Sequence, residues 1–382
     1  MKKAGLLLFC GALFFTACQK DPVPSKDSTL DGEAVDVSVI STSARKLFVL
    51  NEGGMGSNNS TLDFLRFADG KYITNSFGKM NPSEAAGLGD VGNDIAIHGN
   101  EAWIVVNNSG IVEVISAEDE VEIAAIQVPT PRNIAFDNQY AYVTSWAGAF
   151  AKYEGYNIVD SSNPKGQLYR INLSTKKVEG SVEVGYQPEG VAVYNGKIYV
   201  ANSGGISSQL PPAYSYDNTL SIIDAKTFTV EKTVEVQINL KNVYSDGKGN
   251  LYVTTLGNYF DVNSGLYWVK ASAPETATLV VDRVTVSALN GDTVYCMGTE
   301  DEFNFKVSHT YTSCSVKNGA KTELSFSLEN STPYGLFAMD ADTFVVSDAG
   351  DYFNPGTVTL YKGGEAKWTV TAGVCPGHFT LY

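Results

Sequence analysis

One short unit recurs along this 382-residue chain and restricts what the chain can fold into. In its clearest copy, YQPEGVAVYNGKIYVANSGG from Tyr186, Pro-x-Gly opens an apolar run and Asn-Gly interrupts it. A second alternating run follows, ended by Asn and glycines. Alternation split by Asn-Gly predicts a β-hairpin, because Asn195 and Gly196 tolerate the positive φ of a tight turn. Pro188 falls at the start of the first strand, where a missing N–H costs least. The second strand returns as LFVLNEGG from Leu47, AWIVVNNSG from Ala102, AYVTSWAG from Ala141, LYVTTLGN from Leu251, VYCMGTED from Val294 and FVVSDAGD from Phe344. With the copy from Ile198 that makes seven, each expected to form a half-buried strand.

The first strand also occurs seven times, but offset. Its copies are NDIAIHGN from Asn93, PRNIAFDNQ from Pro131, PEGVAVYNG from Pro188 and PYGLFAMDAD from Pro333, with weaker ones, KNVYSDGKGN and VTVSALNGD, from Lys241 and Val284. The last, PGHFTLY from Pro376, ends the chain, whereas the second strand at Leu47 has no first strand before it. A ring resolves the offset: the C-terminal strand becomes the innermost strand of the blade begun at Leu47, and no sheet edge is left open. Third strands such as TLSIIDAK and fourth strands such as FTVEKTVEV complete four per unit, the third strand of the sixth unit, FKVSHTYTS, being the least clear. The period is uneven, roughly 40 to 57 residues, within the range of propeller repeats. The expected fold is all-β: a seven-bladed β-propeller over residues 34–382, with four antiparallel strands per blade.

The first residues form a separate segment. Lys2 and Lys3 precede an apolar stretch from Gly5 to Phe15, which is too short to span a bilayer and ends in FTAC. Small residues before Cys18 resemble the lipobox of bacterial lipoproteins. That resemblance implies a signal peptide over residues 1–17, cleavage before Cys18, and acylation of Cys18 as a membrane anchor. Residues 18–33 then read as an acylated cysteine and a flexible tether. Lys20-Asp21 is compatible with export to the cell surface in some Gram-negative anaerobes, giving an outer-membrane location facing the exterior.

Removing residues 1–17 takes two lysines and no acid from 27 basic and 42 acidic residues, leaving 25 against 42 and a formal charge of −17. Such a surface repels phosphate backbones, so nucleic acid is not an expected partner. Cys10 leaves with the signal segment; Cys296, Cys314 and Cys375 remain besides Cys18. Cys296 and Cys314 fall in neighbouring predicted strands, where a disulfide and two packed thiols are the alternatives; Cys375 reads as a packed thiol.

The long insertions lie on one face, in the loops that leave the second strand. AFAKYEGYNIVDSSNPKG and ISSQLPPAYSYDN are the largest, and GMGSNN, NYFDVNSG and DYFNPG are shorter. They are rich in Tyr, Phe, Asn and Ser, a composition suited to binding, while the opposite face carries short turns. Around the channel mouth on the elaborated face, Glu52, Asn93, Asn107, Asn133, Glu189, Asn202 and Asp348 recur at corresponding strand ends. Arg132, Trp146, Tyr186, Tyr259, Tyr334, Tyr352 and His378 sit beside them in the repeat frame, and together these fourteen are the candidate ligand-binding residues. No catalytic motif and no metal-ligand spacing is evident; DSSNPKG and DEFN are calcium-compatible in composition but match no EF-hand. Of the three histidines, His98 falls in a turn on the opposite face, His309 in the irregular sixth unit, and His378 at the start of the closing strand on the elaborated face.

The repeated P-x-G-V-A-V…G-K-I-Y-V-A-N…L-S-I-I-D resembles the YncE-like propellers across most of the mature chain. Together with the lipobox and the Tyr/Asn-rich loops, the chain more particularly resembles the BtuG-type cobalamin-capturing surface lipoproteins. That resemblance implies a non-enzymatic protein without a resident cofactor. It would hold cobalamin or another corrinoid at the loop face and pass it to a TonB-dependent outer-membrane transporter of BtuB type. The fold alone does not settle function. The alternatives are an interaction scaffold in an outer-membrane complex and a metal-dependent propeller lactonase or lyase, for which Glu52, Asn133, Glu189 and Asn202 would be the axial residues.

Overall fold

The computed structural model describes residues 26–147, 152–154, 157–160, 164–204, 216–300, 309–329 and 331–382. Cys10, Cys18 and the signal segment, residues 148–151, 155–156 and 161–163 of the first long insertion, residues 205–215 at the second, and DEFN lie outside the described residues. The described residues form seven blades of four antiparallel strands arranged as a ring, the expected seven-bladed propeller, and a separate two-stranded sheet, Lys152–Glu154 with Asn157–Asp160. Blade one consists, from the axis outward, of Pro376–Leu381, Lys46–Asn51, Thr61–Arg66 and Lys71–Ile73. Glu33–Ala34 adds a fifth, outermost strand to it. Blades two to seven follow in chain order, with inner strands at Gly92–His98, Pro131–Phe136, Pro188–Tyr194, Leu240–Ser245, Val286–Asn290 and Pro333–Ala338. The Asn195-Gly196 turn has φ of 48° and 74°, as the hairpin pattern requires.

The second strands depart from the half-buried expectation. Lys46–Asn51 is buried at every residue, and Glu101–Val106 and Lys197–Asn202 at all but the first. The reason is that each blade lies between two others, so its inner strands are covered on both faces. Seven apolar clusters result, one at each blade interface. Phe48, Leu50 and Phe64 of blade one meet Ile95, Ile104 and Ile115 of blade two. Val345, Val358 and Leu360 of blade seven meet Leu47, Val49 and Leu65 of blade one, which completes the circle. Only the outermost strands, such as Thr229–Glu235, keep a largely exposed pattern.

Closure is held by more than apolar contact. The C-terminal strand pairs with Lys46–Asn51 in the register Leu47 with Leu381 and Val49 with Phe379. At the end remote from the insertions, buried Lys46 places Nζ 2.7 Å from Oε1 of Glu120, in blade two. The same Nζ donates to the carbonyls of Ala117 (3.1 Å) and Glu118 (2.5 Å), and lies 4.9 Å from the Phe64 ring centroid. The upstream segment is not wholly a free tether: Leu30 packs on the core between blades one and two, and the Val35 N–H donates to the Gly70 carbonyl (2.8 Å). A short helix, Ser76–Met80, joins blades one and two and buries Phe77 in that core.

In blade six, Cys296 and Cys314 occupy directly paired positions on adjacent strands and are free thiols hydrogen-bonded to each other, not a disulfide. That bond and burial push the Cys296 thiol up. Cys375 is buried as a thiol, as expected.

Two side chains make this core testable. Lys46→Met leaves Glu120 charged and buried without its partner, a class of change that costs about 3–5 kcal/mol; urea unfolding should register that loss, and Lys46→Met with Glu120→Leu should recover much of it. In blade two, Glu113 is buried with an Oε1 that meets no hydrogen-bond partner among the described residues. Burial, then Glu122 and Glu84, raise its pKa from 4.5 to about 8. A folded value above the ordinary one means its stability contribution is complete below about pH 4.5 and is lost as pH rises to about 8. Glu113→Gln should therefore be more stable than the parent above pH 4.5, by a margin that widens to about pH 8 and then levels off. A margin independent of pH in denaturation curves would contradict this.

Candidate functional site

The inner strands converge on an axial channel that holds a cavity of about 660 Å³, lined from the strand starts down to Tyr244, Leu289 and Phe337. One register position supplies a lining residue from every blade: Gly377, Asn93, Arg132, Glu189, Lys241, Thr285 and Tyr334. Six of them follow the residue that opens the inner strand, such as Pro131, Pro188, Leu240 or Pro333, and Thr285 directly precedes the strand Val286–Asn290. The next position adds His378, Asp94, Asn133 and Asn242 to the wall. This ring arises because six of the seven inner strands carry a bulge at their start, which turns two successive side chains toward the axis.

Hydroxyls of the second strands fill the bulges. Thr144 Oγ1 accepts from the Asn133 N–H (3.0 Å) and donates to the Glu189 carbonyl of the next blade (2.6 Å). Ser347 does the same between the Gly335 N–H (2.8 Å) and the Pro376 carbonyl. Thr254 accepts from the Asn242 N–H in blade five (3.0 Å). The ring is thereby held by blade-to-blade hydrogen bonds behind it.

Two charged groupings face each other across the channel. Glu52, in the loop leaving the second strand of blade one, accepts from His378 Nε2 (3.0 Å) and from the Tyr334 hydroxyl (2.6 Å). Burial pushes the Glu52 carboxyl up, but the hydrogen bond and charge of His378 and the Tyr334 hydroxyl outweigh it, and the pKa lies below its usual value. Burial, and then the Glu52 carboxylate, drive the Tyr334 phenol well up. On the other side, Arg132 Nε donates to Glu189 Oε2 (3.0 Å), and its guanidinium lies 4.4 Å from the Trp146 ring centroid. Asp94 accepts from the backbone N–H groups of Ile95 (2.9 Å) and Ile134 (3.0 Å), and burial raises its pKa.

Above the channel, two loops repeat one construction. In blade five, Asn258 Oδ1 accepts from the N–H groups of Phe260 (3.1 Å) and Asp261 (3.0 Å), and Tyr259 has φ of 60°. In blade seven, Asp351 Oδ1 accepts from Phe353 (2.9 Å) and Asn354 (2.8 Å), and Tyr352 has φ of 67°. A side-chain bond of 2.7 Å locks each turn, Asn258 to Asp261 and Asn354 to Asp351. Their tips, Phe260 and Phe353, are 81% and 85% exposed, and Met55 in blade one is 76% exposed. Tyr352 also lines the cavity and meets the Tyr334 ring edge-on at 5.8 Å.

Of the fourteen residues singled out by sequence, Glu52, Asn93, Arg132, Asn133, Glu189, Tyr334, Tyr352 and His378 line the cavity. The others lie apart from its wall. Trp146 backs Arg132, Tyr259 stands on the exposed rim, and Tyr186 is partly exposed with its N–H bonded to Asp217. Asn107, Asn202 and Asp348 are set back at the ends of second strands, one strand spacing further from the axis. There they clasp backbone and neighbours: Asn107 donates to the Pro131 carbonyl (2.9 Å), buried Asn202 to Ser221 (2.9 Å), and Asp348 accepts from the Thr332 N–H (2.8 Å).

Lys241 and Asp94 were missed. The signal was available, because Lys241 falls in the register of Arg132 and Glu189 and Asp94 in that of Asn133 and His378, but in strand copies that lack the Pro-x-Gly start. Among the described residues no three His, Cys, Asp or Glu side chains come together at metal-holding distance.

No family model matches the chain, and no curated protein does. Among solved structures it is similar to the hydrazine synthase of Kuenenia stuttgartiensis, with a TM-score of 0.56 at 13% identity, over 75% of this chain and 88% of that one. It is also similar to a quinonprotein alcohol dehydrogenase-like protein of Bacteroides thetaiotaomicron, with a TM-score of 0.56 at 12% identity, over 88% of this chain and 78% of that one. At such identities the likeness is one of β-propeller fold alone.

The balance at Glu52 has a measurable consequence. In His378→Ala the lowering partner is gone while burial persists, so the Glu52 pKa should move above the ordinary carboxylate range; Tyr334→Phe should move it the same way by less. A carboxyl-carbon NMR titration reads this directly, and an unchanged Glu52 in His378→Ala would refute the assignment.

Proposed function

We propose that this protein is a lipid-anchored binding protein, not an enzyme, that captures cobalamin or a related corrinoid at the channel mouth. On this proposal Cys18 carries the anchor at the outer membrane, facing the exterior, and the ligand passes to a TonB-dependent transporter of BtuB type. The observation that carries the reading is the ring: every blade presents the same register position to one cavity, with preformed aromatic loops standing over it. Buried hydrogen bonds fix the ring and the loops before any ligand arrives, which keeps the ordering cost of binding small. The chemistry is compatible as well. A corrinoid exceeds what a cavity of about 660 Å³ encloses, so part of it would enter the polar ring while its apolar edges lie against the rim aromatics.

A second reading has one observation in its favour. A carboxylate that orients an imidazole beside a phenol, as Glu52 does with His378 and Tyr334, is an acid–base arrangement. It would make the protein a propeller lyase or lactonase, and turnover abolished by His378→Ala would favour that reading.

Calorimetric titration of the protein with cyanocobalamin and cobinamide tests the binding proposal. One-to-one binding is expected, weakened on the order of tenfold by Phe353→Ala or Tyr352→Ala, since burying such a side chain contributes about 1.5–3 kcal/mol. No heat and no thermal shift at high ligand concentration would overturn it.

A further inference from the structure

We propose that Lys241 anchors a phosphoryl anion of the ligand that enters the channel, in the form of a phosphodiester or phosphate group. The proposal rests on the binding function proposed above and adds the chemistry of one contact. It follows from accounting for the charges on the cavity wall. Glu189 is taken by Arg132 at 3.0 Å, and Glu52 by His378 at 3.0 Å and Tyr334 at 2.6 Å. Asp94 has its oxygens on two backbone N–H groups. Lys241 lines the same wall, is exposed within it, and forms no ion pair with a described residue. Its charge reaches the Glu52 carboxyl across the channel, so the field there is not fully screened.

The neighbours of Lys241 fit the same role. Asn242 and Thr285 flank it on the wall and are neutral hydrogen-bonding side chains. An ammonium is a compact point charge with three donors, a good match for a phosphoryl group without demanding bidentate geometry. The acidic exterior, with a formal charge of −17 once residues 1–17 are removed, opposes an anion at long range, but physiological salt screens that repulsion beyond about 8 Å. A ligand with a single anionic group on a large neutral body meets both conditions. Highly charged anions do not.

Cyanocobalamin carries a phosphodiester and cobinamide lacks it, so the pair isolates the contact. Affinities of both would be measured for the parent, Lys241→Gln, and Lys270→Gln, which removes the same charge from an exposed lysine outside the channel. The expected result is a loss of about tenfold or more for cyanocobalamin in Lys241→Gln, worth about 1.4 kcal/mol or more. Cobinamide affinity should be unchanged, and Lys270→Gln should behave as the parent. Equal losses for both ligands, or no loss for either, overturn the anchor while leaving corrinoid capture standing.

If neither corrinoid binds, the capture proposal falls and the anchor is judged separately with inorganic phosphate. The NMR signal of ¹³C-methylated Lys241 should shift saturably with phosphate, and that shift would support the anchor. An unmoved signal would overturn it.

Discussion

Strand closure between the two ends of the chain is the contact on which the rest of this molecule depends. Pro376–Leu381 lies against Lys46–Asn51, and the Tyr382 backbone exchanges hydrogen bonds with Lys46. Without that strand, blade one would show an open inner edge to the channel, and the seventh apolar interface would lose Phe379 and Leu381 from its margin. The same strand carries His378, so closing the ring and completing the Glu52 site are one event. Glu52 and His378 are 326 residues apart in sequence and 3.0 Å apart in space. The buried Lys46–Glu120 pair reinforces closure from the opposite end, where charge is tolerated only because carbonyls and a carboxylate surround the ammonium.

From closure follows the rigidity of the channel mouth. Seven sandwiched blades leave the inner strands no freedom to slide, because a shift of register would turn their buried side chains toward the wrong neighbour. The bulges that open most inner strands would be weak points in an isolated sheet. Here Thr144 and Ser347 fill two of them and tie each to the carbonyl of the following blade. Ring side chains therefore stand on a frame set by backbone geometry and not by their mutual contacts. The aromatic loops of blades five and seven use a different device, an Asx turn closed by a side-chain pair, to hold Phe260 and Phe353 exposed. Large apolar side chains kept exposed by built-in constraints are unusual on a surface with no use for them.

Much of this was readable from residue order. Alternation, Asn-Gly and the offset between first- and second-strand copies are local signals, and they led to blade number, ring closure and the location of the elaborated face. The candidate site was legible only in part. Polar residues at the ends of second strands resemble those at the starts of first strands, yet Asn202 is buried within its blade while Glu189 faces the channel. The difference is distance from the axis, which appears only when the strands are stacked. Lys241 was overlooked for a related reason: Leu240 replaces the proline that marks its register elsewhere, although the position in the repeat is the same.

By itself, the sequence determined that this chain makes seven four-stranded units and closes them with its own C-terminus, because hydrophobic period and turn chemistry act over a few residues at a time. It also determined which loops carry Tyr-Phe tips. Tertiary structure alone decided which polar side chains meet, that second strands are covered on both faces, and that Cys296 and Cys314 face each other as thiols. It also decided that the acids of the channel are each taken up by a partner while Lys241 is left without an ion pair among the described residues. Those outcomes depend on how seven twisted sheets pack around one axis, and no single stretch of chain encodes that geometry.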